Sequence, residues 1–326
     1  MLAFFNRLRP SSLLVGLGVL LVAFGASYFA GTRTWLPLDE SVLPIGGRYL
    51  SAISWEVGFP LSVVILLLGS ALARQLLLRY ISGLTRSYLP VFLIPLLLGG
   101  LGLGGHNLLP PLVAIFLLEL AFALVLQTAF SAKLYSGVFM VSVLVGTASL
   151  FYLPALFFVY TPILLLLHRS EFRLRGIVVM LLGTALVPVW IFFISWLVDE
   201  PLDNIYPLSL LLTLQPSDMW TWTSANPLRP IYIFVVFLLW LLSLLWVNYP
   251  HKVHRATYLL VRNILFWSFV ISCVALFLVR DPFYMLPFVV AFLAMMFSYI
   301  LAYSSGRKPT LLFVVLLLVS LGMYWV

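Results

Sequence analysis

Charge is what this sequence has least of. Lys and Arg number 18 and Asp and Glu 10 in 326 residues, 9% of the chain, against roughly 25% in a soluble domain. So few charges cannot solvate the surface of a 36.7 kDa particle, which excludes an ordinary water-soluble globular fold. Cysteine is nearly missing too. Cys273 stands alone in an apolar run, so a disulfide framework is excluded. Only 4 His are present, and His251 and His254, at i and i+3, have no third metal ligand nearby. No phosphate-binding loop, nucleophile elbow or zinc-protease signature occurs. The GGLGLGG run at 99–105 follows no strand and reads as close helix packing through small residues.

What remains is apolar: 63% of residues, with a mean hydropathy of +1.15. A bilayer core of ~30 Å takes about 20 apolar residues as a helix. Stretches of that kind recur at 12–31, 57–75, 88–105, 109–130, 136–151, 153–167, 176–198, 230–248, 260–279, 283–303 and 309–326. The expected fold is an all-α integral membrane helical bundle of about eleven transmembrane helices, in a single transmembrane domain spanning 1–326. The first stretch reads as a retained helix rather than a cleaved signal, because it is long and further spans follow. The stretches at 136–151 and 153–167 are short and parted only by Tyr152-Leu153-Pro154. They fit either two thin spans or a hairpin that enters and returns.

With the amino terminus cytoplasmic and the carboxyl terminus outside, the charges sort. Arg33, Arg48, Arg229 and Arg280 fall outside and the other 14 Lys and Arg inside, the bias that membrane insertion produces. Eight of the 10 acidic residues fall outside, Glu171 inside and Glu119 within a span. The net charge of +8 therefore reads as topology and not as nucleic-acid binding. The clusters Arg74, Arg79, Arg86 and Arg169, Arg173, Arg175 read as inner topology signals and headgroup contacts.

Two outer segments, 32–56 and 199–229, mix Trp, Tyr, Pro and carboxylates with apolar residues and are expected to rest on the membrane surface. In the first, Tyr49, Leu50, Ile53 and Trp55 fit the apolar side of a short interfacial helix, with Arg48 and Ser51 toward water. Asp39-Glu40 and Asp199-Glu200 place two acidic pairs at one face. Converging, they could hold a divalent cation or supply a general base; solvation of the outer loops is the more economical reading, since the charge asymmetry alone predicts part of the pattern. His106-Asn107 reads as a cap on the third span. Glu119, in AIFLLELAFAL, has no Lys or Arg within a turn, so it must face the bundle or a wet cavity, or carry a proton. Pro95, Pro154, Pro162, Pro188 and Pro287 are candidate helix breaks.

The stretches ALARQLLLRYISGLTRSYLPVFL, HNLLPPLVAIFLLELAFALVL and SGVFMVSVLVGTASLFYLPALFFVYTPILLLL resemble a polytopic inner-membrane family of Bacteroidota over roughly residues 55–195. That family brings a helical bundle and no assigned activity. A second resemblance is to the GT-C glycosyltransferases, which use polyprenyl-phosphate-linked sugars. Their first outer loop reads like PDE with RY and Ala following. Here PLDE (Pro37 to Glu40) is followed, after a longer insertion, by Arg48-Tyr49 and Ala52. This resemblance implies a transferase of the bacterial inner membrane acting at its outer face; the large soluble domain that many such enzymes carry has no counterpart among these stretches. Asp39 and Glu40 would be catalytic, deprotonating an acceptor or binding a divalent cation. Arg48 and Arg229 would neutralise the phosphate of a polyprenyl-phosphate carrier. Glu119 and His106 are the intramembrane polar candidates, and membrane lipids are the expected partners. A non-catalytic scaffold binding other membrane proteins, and a transporter built on Glu119 and the prolines, are the alternatives.

Overall fold

The computed structural model describes residues 18, 43–80, 89–101, 107–170, 172–199, 201, 205–207, 228–246, 255–279, 282–303 and 307–323. The apolar stretch 12–31, Asp39, Glu40, His106, His251, His254 and most of 199–229 lie outside the described residues. Among those described there is no strand. The helices are α1 (Ile45–Ser51), α2 (Trp55–Tyr80), α3 (Leu89–Gly100), α4 (Leu109–Thr128), α5 (Leu134–Ser149), the 3-10 helix η1 (Leu153–Val159), α6 (Tyr160–His168), α7 (Leu174–Val198), α8 (Leu228–Trp246), α9 (Arg255–Leu278), α10 (Pro282–Tyr303) and α11 (Arg307–Gly322). Four stretches, Glu56–Leu76, Leu109–Thr128, Leu174–Leu197 and Leu260–Leu278, are long and apolar enough to cross a membrane.

Burial separates the centre from the rim. Helix α4 opens on Pro110 and Pro111, a position where the missing amide is no loss. It is apolar on every side, and 67% of its membrane-length window is buried, as an all-round apolar helix requires. Helix α7 is equally apolar but only 17% buried. It leaves Leu181, Leu182, Trp190, Phe192, Phe193 and Trp196 exposed. An apolar face of that extent is not stable against water, and lipid tails can solvate it.

Over 136–167 the chain passes from one end of the helical bundle to the other and back, in helices shorter than a membrane span. Helix α5 ends at the corner where α1 sits, since Gly47 N donates to Leu150 O over 3.2 Å. From there η1 and α6 run to the opposite end, where Arg169 donates through its Nη1 to Ala129 O (3.2 Å) and through its Nη2 to Ser131 O (3.3 Å). Ala129 closes the far end of α4. Only 16 residues make that passage, 7 in η1 and 9 in α6. As α-helix they would reach about 24 Å, and the greater 3-10 rise brings them to about 28 Å. Rings hold η1 in place. Tyr152 stacks on Phe288 at 5.4 Å, and Phe158 meets Phe288 at 5.7 Å and Phe292 at 5.4 Å.

The prolines break fewer helices than expected. Pro95, Pro188 and Pro287 lie inside α3, α7 and α10, which run through them. Neighbouring helices and polar side chains can re-satisfy the freed carbonyls in such bundles. Pro154 instead stands in the first turn of η1.

Candidate functional site

Both segments expected at the outer face have described pieces that come together on one corner, the junction of α5 and η1. The first piece is α1. Its Gly46 and Gly47 let the backbone lie directly on that junction. A Cβ on Gly46 would stand 2.9 Å from Leu150 O, and one on Gly47 would press still closer on Phe151 O. Any larger residue would lift the helix off its seat.

Asn107 fixes the other side of α1. Its Nδ2 donates to Ser51 O at 3.0 Å and more weakly to Leu50 O at 3.5 Å, while its Oδ1 accepts from Leu109 N at 3.2 Å. One buried amide thus closes the end of α1 and the start of α4. This corrects the expectation that Asn107 caps the third span. Losing those contacts strands the buried Ser51 carbonyl, at about 1–3 kcal/mol, while Leu50 O keeps a bond from Ile53 N. Asn107→Asp is expected to be worse than Asn107→Ala, because it sets a carboxylate against two carbonyl oxygens. Thermal unfolding in detergent, with wild type above Ala and Ala above Asp, checks this order.

The expected facing of α1 also changes. The helix stops at Ser51, and Trp55 opens α2 instead. Ser51 is buried where it was expected toward water, while Tyr49, expected on the side that lies in the interface, is 73% exposed. The physical reason is that α1 packs through backbone and small residues. Ser51 Oγ satisfies itself on Arg48 O at 2.8 Å, so its burial leaves no polar group stranded. Arg48 is half-buried, and its Nε donates to Leu43 O at 2.8 Å. Among the described residues its Nη nitrogens make no hydrogen bond.

The second piece is 205–207. Ile205 and Tyr206 pack with Leu153, Val187 and Ile191, and Ile45 of α1 joins the same cluster. Tyr206 OH hydrogen-bonds Ser149 Oγ at 2.7 Å, at the end of α5. Burial pushes the Tyr206 phenol above its ordinary range, and the Ser149 contact offsets part of that. Asp199 ends α7 with a φ of 58°, the left-handed conformation that Asp and Asn tolerate at a helix end. Its carboxylate is therefore placed by chain reversal. Arg229 falls in the first turn of α8.

An apolar cavity of about 330 Å³ opens at this end of the bundle. It is lined by the last part of α3 (Leu97, with Leu101 beyond it), the first turns of α8 (Tyr232 to Phe237), the end of α9 (Leu276, Phe277) and the first half of α10 (Leu286 to Leu293). Tyr232 OH is turned to Ser320 Oγ at 3.0 Å, so the cavity presents hydrocarbon. Cys273 lies in its wall.

Deeper in the bundle, Glu119 is buried at 1% exposure against the backbone of α2. Facing the bundle was one of the outcomes the sequence allowed. At the opposite end, Arg175 lies over the Tyr135 ring at 4.6 Å. Arg169 donates to carbonyls at the end of α4, so two members of the second basic cluster also make contacts within the bundle. Among the described residues no group of three His, Cys, Asp or Glu comes together.

No protein-family model, curated protein or solved structure matches this chain.

Proposed function

We propose that the chain is an inner-membrane transferase of the GT-C type, taking a group from a polyprenyl-phosphate carrier to a cell-envelope acceptor at the outer face. The observation that carries this reading is the meeting of α1 and residues 205–207 on one corner. Asp39 and Glu40 precede α1 by a few residues, and Arg48 lies within it. One face would then hold both the acidic pair and a half-buried guanidinium whose Nη groups are open to a phosphate. A planar guanidinium suits a phosphate because it can donate two parallel hydrogen bonds.

The chemistry divides between the two. Asp39 or Glu40 takes the proton of the acceptor nucleophile, directly or through a divalent cation the pair would hold. Arg48, with Arg229, meets the charge that grows on the leaving polyprenyl phosphate, where a fixed donor is worth most. The 330 Å³ apolar cavity suits part of a hydrocarbon tail, since its described lining offers no polar group that a prenyl chain would strand. Lipid and glycan profiling of a deletion strain tests the reading. Loss of one conjugate, with its polyprenyl-linked donor accumulating, is the expected result. An unchanged profile would favour the scaffold.

A further inference from the structure

Glu119 takes no part in the transfer proposed above, yet it sits in a cavity of its own. Helices α2, α3, α4 and α10 enclose a space of about 10 Å³ lined by Gly69, Ser70, Glu119 and Pro287 among apolar residues. That is close to the smallest volume that holds one water, which also needs two or more polar partners. Two are present. Glu119 Oε2 and Ser70 Oγ are buried and make no hydrogen bond among the described residues. Gly69 keeps the space open, because a Cβ there would stand 3.0 Å from Glu119 Oε2.

The charge state follows from the same lining. Among the described residues no Lys, Arg or His borders the cavity, and Glu119 is the one titratable group in its lining. An ionised carboxylate at membrane depth with no counter-charge is costly, whereas a neutral one needs only a hydrogen-bond partner. A divalent cation would demand six or more oxygens, and the side chains offer only the carboxylate and one hydroxyl. We propose that Glu119, Ser70 and a single water form a buried proton-binding site. The neutral carboxyl donates to the water and the water donates to Ser70 Oγ, joining α2 to α4.

Infrared spectroscopy of the full chain in lipid vesicles tests this at neutral pH. Carboxylates exposed to water are then ionised and absorb below the amide I band, and a protonated carboxyl absorbs above it. The wild-type minus Glu119→Gln difference is expected to show a band above amide I that moves down in D2O. Ser70→Ala is expected to move that band up, since the water loses one of its two partners. Gly69→Ala, which fills the space, should do the same and slow the exchange. Absence of the band would overturn the proposal by making Glu119 ionised. A band indifferent to D2O and to both cavity variants would overturn it by making the site dry. Neither outcome bears on the transferase reading, which the conjugate profile decides separately.

Discussion

Asp39→Asn combined with Glu40→Gln is expected to leave a deletion strain uncorrected, with its envelope conjugate still missing, while the protein accumulates at its wild-type level. Both substitutions keep shape and hydrogen-bonding capacity, so folding has little reason to change. Both remove the negative charge needed to accept a proton or hold a cation. A positioned general base contributes typically 10²–10⁴-fold, so transfer should fall by at least about 10²-fold. Arg48→Ala should act differently. Loss of a donor that meets the charge growing on the leaving phosphate lowers kcat, and loss of the same contact in the ground state also raises the apparent KM for the lipid donor. Its packing role is modest, a single bond from Nε to Leu43 O, and Arg48→Lys should restore part of the binding by charge alone. Full transfer by the double carboxylate variant would remove the acidic pair from the chemistry.

The largest expected loss of stability lies at the α5–α7 contact. A Cβ on Gly183 would stand 2.7 Å from Ser142 Cβ and 2.8 Å from Phe139 O, and one on Gly146 would stand 2.9 Å from Thr184 O. Backbones approach this closely in membranes because dispersion and close fit, not the hydrophobic effect, hold helices together there. Gly183→Leu therefore cannot be accommodated by a rotamer change. It should cost about 3 kcal/mol or more, at the upper end for overpacking. The effect reaches the candidate site, since Val187 and Ile191 of α7 lie under Ile205 and Tyr206. Thermal unfolding in detergent should show a marked fall for Gly183→Leu, and transfer should fall with it. Leu182→Ala, one residue away on the exposed face, should stay within about 0.5 kcal/mol of wild type.

Helix positions were legible because long apolar runs leave the backbone no choice at membrane depth. Helix α4 was expected at 109–130 and runs Leu109–Thr128, and α7 was expected at 176–198 and runs Leu174–Val198. The failures have separate causes. Side-chain periodicity assumes that a helix packs through its apolar side chains, and α1 packs through Gly46, Gly47 and a self-satisfied Ser51. The burial of its Ser51 could not be read from alternation. Asn107 was visible as a polar residue at a span boundary, but its acceptors lie 56 and 57 residues earlier in the chain. Glu119 stood out as a lone carboxylate. Ser70, one of many serines, gave no sign of sharing its cavity. The 3-10 stretch η1 announced itself only by Pro154, since no periodicity separates it from an ordinary turn.

The outward orientation of the α1 corner decides whether any of the proposed envelope chemistry is reachable, and a pair of cysteines measures it. In a Cys273→Ala background, which removes the native thiol, Tyr49→Cys and Ser170→Cys place single thiols at exposed positions at opposite ends of the bundle. A membrane-impermeant maleimide added to intact cells should label Tyr49→Cys and should reach Ser170→Cys only after permeabilisation. The reverse pattern, with Ser170→Cys labelled and Tyr49→Cys protected, would put α1 in the cytoplasm and contradict the account.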